Sequence, residues 1–291
     1  SMALARGARL PENVAARRLG DQPRHHEQMV RQPIEIGKRQ RIERRPRSRT
    51  DGHPLRPPRD RPGVVDIGRS LAAAGQDVVV GYAGNKTAAD EVVAEITAAG
   101  GRAVASRADI ADEHAVAEMF DLAERTYGGV DVVVNAAGRM YLSPIADLDL
   151  DALDTLHRTN IRGTFVVTRE AARRVRSGGA IVTFSTSIVG LQFPAYGAYA
   201  ASKGAVEATT LILARELRGR DITVNTVAPG PTATELFLDG KDEETIDRLA
   251  KQPPLERLGT PEDIAQAVAF LVGPSGRWIN GQILRANGGI V

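Results

Sequence analysis

The chain has 291 residues, of which 42% are hydrophobic and 25% charged, which suits one large globular domain with additional sequence or two small domains. It contains no cysteine, so disulfide bonds, thiolate catalysis and cysteine-ligated metal sites are excluded, and a reducing, cytoplasmic location is favoured. No apolar run approaches the roughly 18 residues of a membrane-spanning helix, so we expect no membrane partner.

The net charge of +2 conceals two different kinds of sequence. Residues 1–63 hold 16 basic and 7 acidic residues, a net charge of +9, whereas residues 64–291 hold 22 and 29, a net charge of −7. The first stretch is rich in Arg and Pro, and its low hydrophobicity predicts a disordered or loosely packed basic arm. Ser1 and Met2 resemble a cloning remnant and are left out of the fold prediction. Clustered Arg can bind nucleic acid, but the arm lacks an aromatic residue for base stacking, so nucleic acid is not the expected partner.

From residue 64 onwards, short apolar runs alternate with amphipathic stretches, a pattern typical of helices packed on a parallel sheet. The predicted strands are 77–82, 103–106, 130–134, 180–185, 223–227 and 282–285. The predicted helices are 67–74, 88–99, 113–127, 150–176, 199–218 and 261–271. The sequence therefore predicts an α/β fold with a Rossmann-type, doubly wound parallel sheet that forms a single domain over residues 64–291.

A tyrosine and a lysine in one predicted helix are the strongest sign of chemistry. Tyr199 and Lys203 are four residues apart and share a helix face, so the ammonium can lie close to the phenol and favour its phenolate form. Such a phenol can exchange a proton with a carbonyl or an alcohol. The alternative is a buried aromatic with a solvated lysine. Tyr196 lacks a corresponding lysine, because Ala200 follows it at that spacing.

Several further motifs occur around this pair in a fixed order. They are Asn135-Ala-Ala-Gly138 after a strand, Asn160 in a helix, Ser187 twelve residues before Tyr199, Pro229-Gly230 followed by Thr232 and Thr234, the run Arg257–Asp263, and Gly288-Gly289. In type, order and spacing, residues 64–291 resemble the short-chain dehydrogenase/reductase family. Within that family, the chain is most similar to the 3-oxoacyl-(acyl-carrier-protein) reductase-like group.

The resemblance implies an NAD(P)(H)-dependent oxidoreductase that interconverts a small-molecule carbonyl and a secondary alcohol. It assigns proton transfer to Tyr199, activation of Tyr199 and binding of the nicotinamide ribose to Lys203, polarisation of the carbonyl to Ser187, and a relay water to Asn160. Ser185 is the rival for Ser187, and the spacing favours Ser187. The family also implies a homodimer or homotetramer, with an interface formed by helices 150–176 and 199–218.

The resemblance also implies which residues bind the cofactor: Gly68, Asn85, Lys86, Asp109, Ile110, Asn135, Ala136, Ala137, Gly138, Tyr199, Lys203, Pro229, Gly230, Thr232 and Thr234. Enzymes that bind NAD place an acid after the second strand for the ribose 2′-hydroxyl, and residues 78–86 contain no acid. This absence favours NADP(H) over NAD(H). His114 and His157 have no ligand-spaced partners, so no metal site is predicted.

The resemblance stops at the glycine-rich turn that opens this fold and binds the cofactor diphosphate. The four positions of the turn fall on Arg61, Pro62, Asp66 and Gly68, of which only Gly68 matches. Prolines before this point interrupt any first strand. We therefore expect a vacant central position in the sheet or a substitute strand such as residues 33–37, with weak binding of NADPH. The alternative function is a cofactor-impaired scaffold of the same fold.

Overall fold

The computed structural model describes residues 2–6, 62–238 and 241–291, which form a Rossmann-type fold around a seven-stranded sheet of order β3-β2-β1-β4-β5-β6-β7. The strands are β1 Met2–Arg6, β2 Asp77–Tyr82, β3 Ala103–Arg107, β4 Val130–Asn135, β5 Val175–Phe184, β6 Thr223–Pro229 and β7 Ile283–Ala286. The helices are α1 Pro62–Ala73, α2 Lys86–Ala98, α3 Glu113–Tyr127, α4 Leu150–His157, α5 Gly163–Arg174, α6 Ile188–Leu191, α7 Gly197–Glu216, α8 Glu235–Leu238, α9 Glu243–Ala250 and α10 Pro261–Val272. A π-helical turn, Arg158–Arg162, joins α4 to α5, so the long helix predicted over 150–176 is present but ends at Arg174, and Val175 and Arg176 belong to β5 instead.

The central strand β1 is the main departure from the predicted fold. It lies antiparallel to both neighbours, with Met2 opposite Gly81 of β2 and Asn135 of β4, whereas the other strand pairs are parallel. The prediction of an all-parallel sheet is therefore wrong at this strand. A substitute strand is present, but it is formed by residues 2–6, which were predicted to belong to the basic arm. The other candidate, residues 33–37, lies outside the described residues.

The side chains of β1 belong to the cores on both faces of the sheet. Met2 and Leu4 pack into the cluster formed with α3 and α5, and Ala3 and Ala5 pack into the cluster formed with α1 and α10. Gly81 permits the close approach of the two strands, because a Cβ there would lie 2.9 Å from the backbone oxygen of Met2. Met2, Ala3, Leu4 and Ala5 are all at most 3% exposed, and this burial of apolar side chains on both faces explains why the short strand fits a central position.

We expect Leu4→Ala to lower the free energy of unfolding by about 2–5 kcal/mol, because Leu4 is only 1% exposed and truncation leaves a cavity in the core. Urea denaturation measures this loss. The matched control is Leu150→Ala, since Leu150 is 67% exposed; its expected effect is within about 0.5 kcal/mol. Equal, small effects of the two substitutions would contradict the burial of β1.

Helix α10 begins where a site would be expected, at the carboxyl edge of the strands. Thr260 accepts a hydrogen bond from the amide of Asp263, whose carboxylate accepts one from the amide of Thr260, and Pro261 occupies the first turn. This reciprocal cap, with Pro in the first turn, fixes the start of the helix. Arg257 and the amide of Thr260 hold the pKa of Asp263 well below its usual range.

Within the described ranges, no helix is both long and apolar enough to cross a membrane.

Candidate active site

A cavity of about 200 Å³ lies at the carboxyl edge of β4, β5 and β6, where ligands bind in open α/β sheets. Phe184 and Pro229 are the last residues of β5 and β6, and both line it. Its wall is mainly apolar, with contributions from Ile67, Met140, Ile188, Leu191, Phe193, Phe237, Leu249, Ile264 and Ile290. The polar residues that line the cavity are Ser185, Thr186, Ser187, Tyr196, Tyr199, Thr232, Thr234, Lys241 and Gln252.

The predicted Tyr–Lys pair lies in the first turns of α7, and both residues are buried. Tyr199 lines the cavity, and the Nζ of Lys203 donates a hydrogen bond of 2.8 Å to the backbone oxygen of Phe184. Gly138 makes room for the ammonium, since a Cβ at this position would lie 3.1 Å from Nζ. The strand end, the loop after β4 and the helix therefore hold Lys203 in one place, and its burial excludes the solvated alternative.

Asn160 lies in the π-helical turn and is fully buried. Its side-chain oxygen accepts a hydrogen bond from the amide of Arg139, and its Nδ2 donates to the backbone oxygen of Arg139 and to the Oγ of Ser202. Ser202 donates in turn to the backbone oxygen of Tyr199. The side chain of Asn160 thus ties the loop after β4 to the Tyr–Lys helix.

The structure separates the two rival serines by their partners. Ser185 donates a hydrogen bond of 2.6 Å to the carboxylate of Glu207, and this bond uses its hydroxyl proton. Ser187 begins α6, and its Oγ lies 3.4 Å from the backbone oxygen of Ala228, near the outer limit of a hydrogen bond. Ser187 also accepts a hydrogen bond of 2.9 Å from the Nδ2 of Asn287. Its own proton is therefore only weakly held.

Tyr196 precedes α7 and lines the same cavity as Tyr199. Burial raises the pKa of Tyr196, and the nearby phenol of Tyr199 raises it further. The ring of Tyr196 meets that of Phe193 edge to face. With a raised pKa, Tyr196 is a poorer proton donor than an ordinary tyrosine, and its place suits contact with a ligand.

The loop after β6 carries four of the residues predicted to bind a cofactor. Pro229, Gly230, Thr232 and Thr234 all line the cavity. The Oγ1 of Thr232 donates to the backbone oxygen of Gly230, and the Oγ1 of Thr234 accepts from the amide of Phe237. A Cβ at Gly230 would lie 2.8 Å from Asn287, so glycine is needed for this loop to pack against the end of β7. From the loop after β4, Ala136 lines the cavity as well.

The residues predicted to bind the adenosine half are engaged with other groups. Asn85 caps α2, and Lys86 pairs with Asp90 at 2.5 Å. Burial alone would raise the pKa of Asp109, but hydrogen bonds from the amide of Ala111 and the guanidinium of Arg158 lower it. Ile110 packs against Gly163 of α5. The guanidinium of Arg107, which the sequence reasoning did not single out, reaches the backbone oxygen of Ala83 between β2 and α2.

The described residues fit a dinucleotide at its nicotinamide end and not at its diphosphate. Gly68 lies in α1 against Val92 rather than at the cavity, whereas Ile67 of this helix reaches the cavity wall. Asp66 places a carboxylate in the first turns of α1, where it pairs with Arg69 at 3.0 Å. The Oδ1 of Asn135, opposite Met2, is buried and has no hydrogen-bond partner within the described ranges. A diphosphate needs donors, and these two groups are acceptors.

The sequence reasoning missed two polar residues of the site. Ser202 links the side chain of Asn160 to the backbone oxygen of Tyr199. Asn287, at the end of β7, contacts Ser187 across 100 positions of sequence. A side chain that acts through such a long-range contact leaves no local pattern to find. No cluster of His, Asp or Glu able to hold a metal ion occurs in the part of the chain that the structure describes.

Comparisons with known proteins agree with this geometry. Residues 65–291 match the family model described as enoyl-(acyl carrier protein) reductase. A short-chain type dehydrogenase/reductase of Picea abies is 43% identical, over 78% of this chain and 87% of the relative. An NADPH-dependent aldehyde reductase-like protein, chloroplastic, of Arabidopsis thaliana is 40% identical, over 77% and 90%. The crystal structure of a short chain dehydrogenase of Burkholderia cenocepacia in complex with NADP is 38% identical, with a TM-score of 0.74 over 78% of this chain and 93% of that one.

Proposed function

Because the chain belongs to the short-chain dehydrogenase/reductase family and is an NAD(P)-dependent oxidoreductase, we propose that it reduces an apolar ketone or aldehyde to an alcohol with NADPH. The observation that carries the proposal is the meeting of Tyr199 and Ser187 on one mainly apolar cavity, with the buried Lys203 bonded to the backbone oxygen of Phe184, another residue that lines it. A carbonyl oxygen between the phenol and the serine hydroxyl would meet two hydrogen-bond donors.

The proposed mechanism divides the work among three side chains. When bound, NADPH supplies the hydride that adds to the carbonyl carbon. Ser187 donates a hydrogen bond to the carbonyl oxygen and stabilises the negative charge that develops there. Tyr199 donates its phenolic proton to the same oxygen, which yields the alcohol and leaves a phenolate. The ammonium of Lys203 stabilises that phenolate.

The residues proposed to hold the nicotinamide end surround this point. Lys203 would bind the ribose hydroxyls, and Pro229, Gly230, Thr232 and Thr234 would hold the nicotinamide and its adjacent phosphate. Ala136, Ala137 and Gly138 would border the ribose. Asn160 would hold a relay water. The preference for NADPH is supported by the absence of an acid after β2 and by the named cofactors of the Arabidopsis and Burkholderia proteins.

The finer proposal for the substrate is a 3-oxoacyl compound or a carbonyl compound with a similar apolar body. Leu191, Phe193, Phe237 and Leu249 provide an apolar wall opposite the polar edge of the cavity. The Nζ of Lys241, which also lines the cavity, lies 4.7 Å from the ring of Phe237 and bonds its backbone oxygen. A panel of 3-oxoacyl thioesters, aromatic ketones and aliphatic aldehydes, with NADPH absorbance as the readout, tests this proposal. Lack of NADPH oxidation with all three classes would contradict it.

A second candidate function is a scaffold that retains the fold and binds the cofactor poorly. The acidic Asp66 in the first turns of α1 favours it. Turnover of a carbonyl compound at millimolar NADPH distinguishes the two functions, because weak binding is expected for both and only an enzyme converts the substrate.

We expect the protein to form a homodimer or homotetramer through α4, α5 and α7. Phe165 on α5 and Ile212 on α7 are 54% and 56% exposed, which leaves large apolar side chains in water. Phe165→Glu should therefore lower the mass measured by light scattering, whereas Leu255→Glu, at a site exposed elsewhere, should not. A strict monomer of the unaltered chain at micromolar concentration would contradict this prediction. A cytoplasmic location also stays a prediction.

A further inference from the structure

The side chain of Asn287 has a fixed orientation at the end of β7. Its Oδ1 accepts a hydrogen bond of 3.0 Å from the amide of Gly289, so its amino group must face the other way. There, Nδ2 donates to the Oγ of Ser187 at 2.9 Å and to the backbone oxygen of Val291 at 3.2 Å. Both N–H groups are thus used, and the residue is only 9% exposed. The amide cannot rotate without the loss of three hydrogen bonds.

This orientation determines how Ser187 can use its hydroxyl. A hydroxyl has one proton to donate and two lone pairs to accept with. Because Asn287 donates to Ser187, the serine proton cannot point towards Asn287. It can only point to the distant backbone oxygen of Ala228, 3.4 Å away, or into the cavity that Ser187 lines. The accepted hydrogen bond also polarises the serine hydroxyl and makes it a better donor.

From this geometry we infer that Asn287 is a positioning residue, which makes Ser187 a hydrogen-bond donor towards the substrate carbonyl. The inference rests on the proposed function, since it concerns the serine that polarises the carbonyl. Asn287 itself does not line the cavity and acts only through Ser187. Gly230 packs against the Cα, Cβ and backbone oxygen of the same residue.

Asn287→Asp tests the inference because it preserves the shape of the side chain and reverses the direction of its hydrogen bond with Ser187. A carboxylate cannot donate, so it would accept the serine proton and withdraw it from the substrate. The amide of Gly289 would still have its acceptor. We expect kcat for carbonyl reduction to fall about tenfold to a hundredfold, comparable to the loss of a hydrogen-bond donor at a developing oxyanion, with a small change in KM.

The control variant is Asn225→Asp in β6. Asn225 is also buried, donates from Nδ2 to the backbone oxygen of Ile279, and accepts at Oδ1 from the amide of Gln282. This substitution should lower the melting temperature while kcat is retained. An equal fall of kcat in both variants would overturn the inference, because it would reflect a general loss of structure.

A double-mutant cycle with Ser187→Ala separates positioning from a structural role. Once the serine hydroxyl is absent, Asn287→Asp should have no further effect on kcat, and an additive loss would overturn the inference. If Ser187→Ala alone retains full kcat, the proposed function fails at Ser187 and the inference fails with it. If Ser187→Ala is impaired and Asn287→Asp is not, only the inference fails.

A measurement without turnover completes the test. Acetophenone labelled with carbon-13 at its carbonyl is bound to the chain, and infrared difference spectra report the carbonyl stretch. A donated hydrogen bond lowers the stretching frequency in the unaltered chain, and Asn287→Asp should return it towards the value in an apolar solvent. An unchanged frequency in the variant, or no bound ketone in the unaltered chain, would overturn the inference.

Discussion

Tyr199→Phe is expected to abolish measurable carbonyl reduction while the fold is retained. The substitution removes one hydroxyl from a buried ring in the cavity wall, and that hydroxyl carries the proposed proton transfer. Positioned acid–base groups contribute about 10²- to 10⁴-fold to the rate, so we expect a loss of this size in kcat. Initial rates of NADPH oxidation measure it, and circular dichroism checks the fold.

Tyr196→Phe is the matched control for this experiment. Tyr196 lines the same cavity, and it has Ala200 rather than a lysine one helical turn later. We expect this variant to lose less than about tenfold in kcat, because a single neutral hydrogen bond to a ligand contributes about 0.5–1.5 kcal/mol. Retained turnover in Tyr199→Phe, or the larger loss in Tyr196→Phe, would contradict the assignment of the proton donor.

We expect NADPH to bind the unaltered chain weakly, because the positions of the glycine-rich turn fall on Arg61, Pro62, Asp66 and Gly68, of which only Gly68 matches. Asp66 adds a like charge, whose repulsion at contact distance is about 1–4 kcal/mol at effective dielectric constants between those of water and a protein surface. Its ion pair with Arg69 reduces this cost, so the charge alone should weaken binding about tenfold. Calorimetry or NADPH fluorescence measures the affinity.

Two changes to the chain separate the effect of the Asp66 charge on NADPH affinity from the effect of the missing glycine-rich turn. Asp66→Asn removes the charge with little change of shape and should improve the Kd about tenfold if repulsion is the cause. Replacement of residues 53–66 by an apolar strand and a Thr-Gly-x-x-x-Gly turn, with residues 2–6 deleted so that the place between β2 and β4 is free, should restore binding further, because it supplies the backbone amides of that turn before α1. Micromolar affinity of the unaltered chain for NADPH would contradict the prediction.

The sequence predicted those parts of the fold whose physical signal is local. The apolar runs that became β2, β4, β5 and β6 are bounded by Gly or Asn and have the length of strands, and α10 shows its cap in Thr260 and Asp263. The Tyr–Lys pair was visible because its spacing matches a helical turn. The preference for Ser187 over Ser185 came from spacing alone. In the structure the hydroxyl proton of Ser185 is donated to Glu207, which is consistent with that preference.

The parts that the sequence did not predict depend on tertiary contacts. Residues 2–6 have little strand preference, and burial on both faces leaves them no alternation to detect. Their place in the sheet depends on the room left at Gly81. The contact of Asn287 with Ser187 and that of Arg107 with Ala83 likewise join distant positions. The residues predicted for the adenosine half were identified by resemblance, and the structure shows that Lys86 and Asp109 have partners of their own.

The most direct test of the proposed function is the transfer of deuterium from NADPH labelled at the reactive nicotinamide carbon. The chain is incubated with a millimolar concentration of the labelled cofactor and an aromatic ketone, and the product is analysed by mass spectrometry. We predict one deuterium on the carbinol carbon of the alcohol from the unaltered chain, and at least about a hundredfold less alcohol from Tyr199→Phe in the same time. Unlabelled alcohol, or equal labelled product from both proteins, would contradict reduction by hydride transfer with Tyr199 as the acid.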